Sequence, residues 1–284
     1  MTMQIKRIDD ICSNCKLCVR ECVAGVWRIV EGKPEPTDPD LCNRCSHCVA
    51  VCPMDAILHS GLDAGQVVKV NKKSLQPQIY RDIVLSRRSI RQYEDMPVPR
   101  AMIEQIIDLA RHSPTASNDQ NVGYIVVTEQ ELIRQTAGSI FGFADRLYGK
   151  LQSWPGKLFM RATGLSNNRY VRRMDYAREL AAGGRDIILH NAPVLLLVHG
   201  PAKGPFVCDN CSIAAANIIN YAHALGLGTC FIGFMTLALR FSKSLRGKMN
   251  VPKNRKVYAS LVMGYPAYVH ASTASRKKGD VTWI

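Results

Sequence analysis

The pattern of hydrophobic positions predicts several helices from about residue 79 onward. Within Arg100–His112, apolar side chains recur at i, i+3, i+4 and i+7, namely at Ile103, Ile106, Ile107 and Ala110. This period is typical of a helix that packs one face on a core. A shorter helix is predicted over Ile79–Ser86. Residues 131–190 are expected to be mainly helical, with an exposed basic face at Arg169, Arg172, Arg173 and Arg178.

Short, largely apolar runs predict strands in the same part of the chain, since a run of this kind is typical of a buried strand. They are Gly123–Thr128, Pro193–His199 and Val257–Met263.

A long helix is predicted after the second of these strands, with Asp209 or Asn210 as its N-cap. Its apolar face consists of Cys211, Ala214, Ala215, Ile218, Ile219, Ala222 and Leu225. Glycine is favoured where a helix ends, so Gly226 and Gly228 are expected to end it and to lead into a strand at Thr229–Ile232.

Cysteine, rather than apolar periodicity, dominates the first sixty residues. Two runs have the spacing C-x2-C-x2-C-x3-C, and a proline follows the second: Cys12, Cys15, Cys18 and Cys22, then Cys42, Cys45, Cys48 and Cys52-Pro53. This spacing is typical of chains with two [4Fe–4S] clusters, in which the fourth cysteine of each run binds the other cluster. The predicted ligand sets are therefore Cys12, Cys15 and Cys18 with Cys52, and Cys42, Cys45 and Cys48 with Cys22.

A zinc site is the alternative interpretation of these cysteines. Zinc usually takes two CxxC pairs or mixed Cys/His sets and needs only four ligands, so eight cysteines in two matching runs favour clusters. Over about residues 5–60 the chain resembles bacterial two-cluster ferredoxins. It differs in having Val23, not proline, after Cys22. His47 is expected to be a loop side chain, because four cysteines are already available to each cluster.

Length and the change of pattern predict two domains. A chain of 284 residues can form one small module and one domain with a substantial core. We expect a ferredoxin-like domain at residues 1–62, a polar linker at 63–78, and a second domain at 79–284.

The second domain begins with a run of side chains suited to phosphate. Ser86, Arg87, Arg88, Ser89 and Arg91 fall within six residues. The planar guanidinium of arginine binds phosphate through two hydrogen bonds, and serine adds a neutral donor. Taken alone, however, the run is more typical of a solvated charged surface.

Three further motifs follow this run in a fixed order. They are a loop at Ser113–Gln120, the long helix with its Gly-Leu-Gly turn over residues 215–233, and an ending at Gly264-Tyr265-Pro266 with Arg276-Lys277. The ordered set resembles the nitroreductase family of FMN-dependent enzymes, over roughly residues 79–284. The resemblance implies an α+β fold, a mixed central sheet covered by helices, with two FMN sites at the interface of a homodimer.

The resemblance also implies roles for particular residues. Arg87, Arg88, Ser89 and Arg91 match the run that holds the FMN phosphate and ribityl chain. Pro114, Thr115, Ala116 and Asn118 match a loop that meets the flavin from the other subunit. Ile232 and Gly233 match the backbone beside flavin N5, and Arg276 matches a basic residue near the phosphate. The sequence departs from the family at Asn121-Val122-Gly123, where Pro-Trp is usual.

Three cysteines lie outside the two runs: Cys208, Cys211 and Cys230. A CxxC pair at a helix start can support redox chemistry, because a thiol pKa falls there. Structural burial is favoured instead, since Cys211 falls on the apolar face of the long helix and Cys230 in a predicted buried strand.

Composition and charge limit the location and the partners. The 47 % hydrophobic and 21 % charged residues are ordinary for a soluble protein, and neither a signal peptide nor a long apolar segment is present. The odd cysteine count, 11, disfavours a disulfide framework, so a cytoplasmic protein with no membrane partner is expected. The formal charge of +14 falls to roughly +8 with two clusters and FMN bound. That charge suits a soluble ferredoxin or an anionic substrate, whereas no nucleic-acid motif accompanies it.

Together these features predict an iron–sulfur flavoenzyme. Electrons would pass from a donor through two clusters to FMN, and then to a small electron-poor substrate such as a nitro compound, a quinone or an activated alkene. The donor is expected to be a reduced ferredoxin or NAD(P)H, although no GxGxxG dinucleotide motif is present. No catalytic side chain is assigned; solvent and Tyr93 are the candidate proton sources. The alternative is an electron-transfer subunit whose flavin serves a partner protein.

Overall fold

The computed structural model describes residues 3–163, 171 and 173–284. These residues form two compact units. One comprises Met1–Gln76 with Ala116–Asp119, and the other comprises Pro77–Thr115 with Gln120–Ile284. The predicted boundaries at residues 62/63 and 78/79 stay a prediction.

The first unit repeats the order strand, helix, strand. The first copy is β1 (Ile5–Arg7), α1 (Leu17–Glu21) and β2 (Trp27–Val30), and the second is β3 (Lys33–Pro36), α2 (His47–Val51) and β4 (Ile57–His59). β1 pairs with β4 and β2 with β3, both antiparallel. The first pairing joins the two ends of the duplicated segment.

A small core holds this unit together. Its buried residues are Ile5, Cys18, Val26, Trp27 and Ile57, with other cysteines of the two runs packed against them. So few apolar side chains supply little stabilisation, and small domains of this kind usually depend on bound metal or disulfides.

The second unit is built on a sheet with the strand order β5-β6-β8-β7. The strands are β5 (Gly123–Val127), β6 (Val194–Pro201), β7 (Gly228–Phe231) and β8 (Arg255–Gly264). All three neighbouring pairs are antiparallel, and a parallel bridge between Ser89 and Thr229 adds the mixed character that was predicted. Each strand overlaps its predicted run.

Helices cover both faces of this sheet. The described helices are α3 (Pro77–Ser86), α4 (Arg100–Ala110), α5 (Gln130–Leu151), α6 (Trp154–Ala162), α7 (Met174–Ala182), α8 (Val207–Ala224), α9 (Gly233–Phe241) and α10 (Lys243–Lys248). Leu196 and Val198 of β6 pack into one core with α4 and α8, while Leu195 and Leu197 pack into a second core with α5 and α9. Burial on both faces of the sheet explains why successive residues of β6 are apolar.

The predicted N-cap of the long helix is wrong. Helix α8 begins at Val207, and Phe206 precedes it in a left-handed conformation with φ of 58°. The side chain of Val207 packs on Gly200 so closely that an added Cβ there would lie 2.5 Å from Val207 Cγ1. Because of this packing, the first turn of α8 begins before Asp209 and Asn210. Asn210 is buried within the helix. The predicted end is confirmed, since Gly226 has φ of 82° just after α8.

The predicted basic face is only partly described. Arg169 and Arg172 lie outside the described residues. Arg178 is not simply solvated, because its Nε donates to Asp145 Oδ1 at 2.5 Å and its guanidinium lies 4.9 Å from the centre of the Tyr148 ring. The side chain therefore fastens α7 to α5. Within the described part of the chain, none of the helices has the length and apolar character to cross a membrane.

Candidate functional site

The two cysteine runs share an unusual backbone. Asn14 and Lys16 have positive φ angles of 56° and 61°, and Arg44 and Ser46, at the matching positions of the second run, have 56° and 66°. Left-handed residues between right-handed ones curl successive N–H groups toward a common centre, where they favour a negatively charged group. Both runs are therefore shaped for the same kind of anionic ligand.

A pocket in the first unit brings together four of the predicted ligands. Cys12, Cys15, Cys18 and Cys52 all line it, which is the first predicted ligand set, including the cysteine from the other run. Arg7 also lines this pocket, and its guanidinium donates to Glu35 Oε1 at 2.5 Å. Among the described residues, no three or more His, Cys, Asp or Glu side chains converge as they would on one metal ion. A cube of four irons binds each thiolate at a different iron, so it needs ligands spaced more widely than zinc does.

Backbone donors already point at two cysteine sulfurs. The N–H of Arg44 donates to Cys42 Sγ, and the N–H of Ala56 donates to Cys52 Sγ, each at 3.3 Å. Hydrogen bonds to ligand sulfurs are one determinant of cluster potentials. His47 is not in a loop as expected: it is the first residue of α2, and its exposed ring pairs with Glu21 at 3.1 Å. These features fit a [4Fe–4S] cluster in each half of the unit.

Burial makes two cysteine thiols of this unit, those of Cys18 and Cys48, weaker acids. It raises the pKa of Cys18 to about 11, and the neighbouring Cys15 and Cys12 add to the effect. Burial also raises the pKa of Cys48, against an opposing hydrogen bond from Trp27. Thiolates crowded here need a positively charged partner such as iron.

In the second unit, the arginine run lies along the edge of the sheet beside β7. The N–H of Ile90 donates to the Thr229 carbonyl at 3.0 Å. Gly228 permits this close approach, since an added Cβ would lie 2.5 Å from Ile90 Cγ1. The run is therefore held beside the strand that leads to Ile232 and Gly233.

Three of the predicted phosphate ligands are brought together. Burial, then repulsion from Arg276 and Arg88, lowers the pKa of Arg87. Arg88 is held in place because its guanidinium donates to the Ser272 carbonyl at 2.7 Å. Like charges gather at a cost unless an anion lies among them, so this group of guanidiniums fits the phosphate of FMN.

Ser89 and Arg91 lie beside Cys230, at the end of β7. The hydrogen bonds and charge from Ser89, Arg91 and Arg87 lower the pKa of Cys230, but burial has the larger effect and raises it. Ile232 is buried, while Gly233 is exposed, and an added Cβ there would meet no heavy atom within 4 Å. The backbone at Gly233 is thus open to a ligand.

The loop at Pro114–Asn118 is shaped by local contacts. Thr115 Oγ1 accepts a hydrogen bond from the N–H of Gln120 at 3.0 Å, and Asn118 is left-handed with φ of 57°. Ala116 and Asn118 fall in the stretch that groups with the first unit. The expected role of this loop at the flavin of another subunit stays a prediction.

Sequence reasoning missed several polar side chains near these residues. Ser86 Oγ lies 2.7 Å from His223 Nε2, and burial with Arg87 and Arg88 nearby lowers the pKa of His223. Asn217 Nδ2 donates to the buried Ser113 Oγ at 2.8 Å and so ties the loop start to α8. Both partners lie on α8, more than a hundred residues away, so no local pattern indicated them.

Comparisons with known proteins decide the family. A family model described as "Nitroreductase family" matches residues 84–265, and one described as "4Fe-4S dicluster domain" matches residues 11–57. The first covers more than half of the chain. The chain belongs to the nitroreductase family.

Individual relatives agree with this assignment. A 4-nitrobenzoate reductase of Nocardioides sp. (strain LMS-CY) is 27 % identical over 220 residues, which cover 69 % of this chain and 85 % of the relative. A chloronitrobenzene nitroreductase of Comamonas testosteroni is 25 % identical over 205 residues, which cover 65 % of this chain and 85 % of the relative. A nitroreductase structure from Desulfitobacterium hafniense DCB-2, with bound FMN, has a TM-score of 0.55 at 18 % identity and covers 72 % of this chain and 97 % of that one.

These findings confirm several of the predictions. They are the nitroreductase-like α+β fold with an N-terminal ferredoxin-type domain, the class of FMN-dependent oxidoreductase, and FMN with two [4Fe–4S] clusters as cofactors. The residues assigned to each cofactor stay predictions.

The nitroreductase domain departs from the family pattern at Asn121–Gly123, and a polar network holds that segment in place. Arg255 Nε donates to His199 Nδ1 at 2.6 Å, and its terminal nitrogen donates to the Asn121 carbonyl. Gly123 packs on the His199 ring, where an added Cβ would lie 2.5 Å from Cε1. The network ties this segment to β6 and β8.

Gly123→Ala is expected to destabilise the nitroreductase domain by about 1–3 kcal/mol, because the His199 ring is held by Arg255 and cannot give way. Gly138→Ala is a matched control on the exposed face of α5, where an added Cβ meets nothing within 4 Å. It should stabilise by about 0.5–1 kcal/mol. Thermal unfolding of both variants measures the difference; equal melting temperatures would contradict the close packing.

The same network predicts a pH dependence of stability. Burial, together with the Arg255 charge, lowers the pKa of His199 to about 4. As pH falls below about 6.5, His199 becomes protonated in the unfolded chain, whereas in the folded domain it stays neutral until about pH 4. The free energy of unfolding should therefore fall across that window. Urea midpoints at pH 7.5 and 5 should differ less for His199→Gln than for the unmodified protein, and an unchanged difference would exclude His199 as the cause.

Tyr93 is bonded to the backbone, and two of the three remaining cysteines are buried. Tyr93 donates its hydroxyl to the Ile90 carbonyl at 2.7 Å, and burial raises its pKa well above the ordinary value, which disfavours it as a proton donor. Cys211 and Cys230 are buried as predicted, whereas Cys208 is exposed. Burial raises the pKa of Cys211 to about 12, which disfavours a thiolate at that position.

Proposed function

We propose that this chain passes electrons from an external donor through its two [4Fe–4S] clusters to FMN, and on to a small electron-poor organic substrate. The observation that carries the proposal is the combination of two features in one chain. A dicluster domain match precedes a nitroreductase domain in which Arg87 lies close enough to Arg88 and Arg276 for their charges to lower its pKa. FMN exchanges electrons both singly and in pairs, so it can connect one-electron clusters to two-electron chemistry.

The residues of the nitroreductase domain would position the cofactor rather than react. The three arginines would hold the phosphate, while the Arg88 contact with Ser272 would keep the C-terminal segment over it. The open backbone at Gly233 would lie beside the reactive edge of the ring. Since Tyr93 is committed to a carbonyl, solvent is the favoured proton source.

A nitroaromatic is the favoured substrate class. The relatives named above include enzymes named for 4-nitrobenzoate and chloronitrobenzene, and they align with most of their own length. The protein would act as a cytoplasmic homodimer, and the basic net charge suits an acidic ferredoxin as the donor.

The test uses protein purified without oxygen, with its iron, sulfide and flavin measured. Reduced ferredoxin and NAD(P)H are then added in turn while the flavin absorbance is followed. Bleaching followed by multiple turnovers of 4-nitrobenzoate would support the enzyme. Clusters that become reduced without any change in the flavin would exclude the path. Turnover only with an added partner protein would favour the electron-transfer subunit instead.

A further inference from the structure

The nitroreductase domain contains a second pocket, at an uncovered part of its sheet. The strand that β7 pairs with is Leu261–Gly264, the C-terminal part of β8, and the last contact is the Ile232 N–H with the Ser260 carbonyl at 2.8 Å. Among the described residues, no strand pairs with the preceding part of β8 on that side. The space beside this part forms a pocket between the start of α8 and the helices α9 and α10.

The lining of this pocket is basic and aromatic. Arg240, Arg246 and Lys256 line it, and no Asp or Glu is among its described lining residues. Phe231 and Tyr258 supply aromatic surface. The Tyr258 hydroxyl donates to the Pro201 carbonyl at 2.7 Å, so the polar end of this ring is already occupied.

The buried polar groups of the pocket are satisfied by each other. Thr236 Oγ1 donates to Ser260 Oγ at 2.9 Å, and Ser260 is almost completely buried. Ser212 and Cys208, both exposed, also line the pocket, and the charged partners for a ligand are the three cationic side chains. A pocket lined by three cations and no carboxylate favours an anionic group on the ligand. Its aromatic surface favours a ligand with a flat apolar ring.

Gly233 connects this pocket to the proposed flavin site. It lines the pocket, and its backbone is the segment proposed to lie beside the reactive edge of the flavin. We propose that the pocket binds the carboxylate of an aromatic substrate whose reducible group points to the flavin. This inference rests on the proposed function and narrows its substrate class to aromatic carboxylates.

The test compares 4-nitrobenzoate with uncharged nitrobenzene. In Arg240→Gln, Arg246→Gln and Lys256→Gln, KM for 4-nitrobenzoate should rise about tenfold for each charged hydrogen bond lost, with kcat little changed. KM for nitrobenzene should not change. Lys243→Gln, on the exposed start of α10 and outside the pocket lining, is the matched control. An equal rise for both substrates would overturn the inference.

Calorimetric titration of the same variants with benzoate gives a readout that needs no turnover. Weaker benzoate binding in the three pocket variants, but not in Lys243→Gln, would support the pocket even if neither nitro compound were reduced. In that case the proposed reaction would fail and the anion site would stand. Benzoate binding that is absent from the unmodified protein, or unaffected by all three substitutions, would overturn the pocket.

A separate observation in the ferredoxin-type unit concerns His59, at the end of β4. Its Nδ1 accepts a hydrogen bond from the Gly61 N–H at 3.1 Å, so in the neutral ring the proton is on Nε2. That nitrogen lies 3.3 Å from Cys42 Sγ. The ring is therefore oriented to donate to the sulfur of a predicted cluster ligand, which also accepts from the Arg44 N–H.

We infer that His59 raises the reduction potential of the cluster bound by Cys42, Cys45, Cys48 and Cys22. A donor to a ligand sulfur stabilises the more negative, reduced cluster, so its loss favours the oxidised one. The inference rests on the proposed cluster ligands, and it makes the two clusters unequal although their cysteine spacing is the same.

Redox titration followed by electron paramagnetic resonance tests this role. His59→Leu should shift the potential of one cluster to a more negative value and leave the other unchanged, while His59→Gln, which keeps a donor, should restore part of the shift. His47→Gln is the control, since that exposed ring pairs with Glu21. Unchanged potentials in His59→Leu, or equal shifts of both clusters, would overturn the inference. Protein that assembles no clusters would instead count against the proposed function.

Discussion

Cys52→Ala is expected to remove the same cluster signal as Cys18→Ala, although Cys52 belongs to the other cysteine run. Cys52 lines one pocket with Cys12, Cys15 and Cys18. Conversely, Cys22→Ala should remove the signal lost in Cys45→Ala. Each substitution removes one of four thiolates, so we expect about half of the iron and sulfide to be lost. Transfer from the donor to the flavin should then fail in all four variants.

Iron and sulfide analysis with electron paramagnetic resonance checks this pairing. The exposed Cys208 is the control, and Cys208→Ala should keep both clusters. If Cys52→Ala lost the same signal as Cys48→Ala, the crossed pairing would be wrong. Flavin content shows whether the nitroreductase domain remains folded in each variant.

Arg87→Gln is expected to weaken FMN binding about a hundredfold, because a bidentate contact with phosphate contains two charge-assisted hydrogen bonds. Burial, and then the charges of Arg276 and Arg88, lower the pKa of Arg87. Quenching of flavin fluorescence during titration of the flavin-free protein measures the affinity.

The control for this measurement is Arg100→Gln. Arg100 is exposed at the start of α4 and pairs with Glu104 at 2.7 Å, so its loss should leave FMN affinity unchanged. Equal affinities for Arg87→Gln and the unmodified protein would exclude Arg87 from the phosphate site. Riboflavin lacks the phosphate, so its affinity should be nearly the same in both proteins.

Local patterns predicted the elements of the fold well. The apolar period of α4 and the largely apolar runs of β6 and β8 reflect burial that neighbouring residues share, so the local pattern was enough to place them. The start of α8 could not be predicted in this way. It depends on the contact of Val207 with Gly200 in β6, and that contact exists only after the strand and the helix pack together.

In the cofactor sites too, local patterns indicate some residues, while contacts between distant segments could not be predicted. The cysteine spacing indicates the clusters because every ligand lies in a short repeat. The partners that adjust a site lie far away in the sequence: His223 reaches Ser86, and Ser272 holds Arg88. The network of Arg255, His199 and Asn121 likewise joins three separate segments. None of these pairs has a spacing that a single sequence reveals.

The gathering of Arg87, Arg88 and Arg276 has a consequence for the supply of the cofactor. Riboflavin would offer the same ring but leave the mutual repulsion of these guanidiniums in place, whereas the phosphate ester relieves it. At the proposed phosphate site the domain would thus distinguish the vitamin from its phosphorylated form, and loading of the cofactor would depend on the cellular kinase activity that makes the ester.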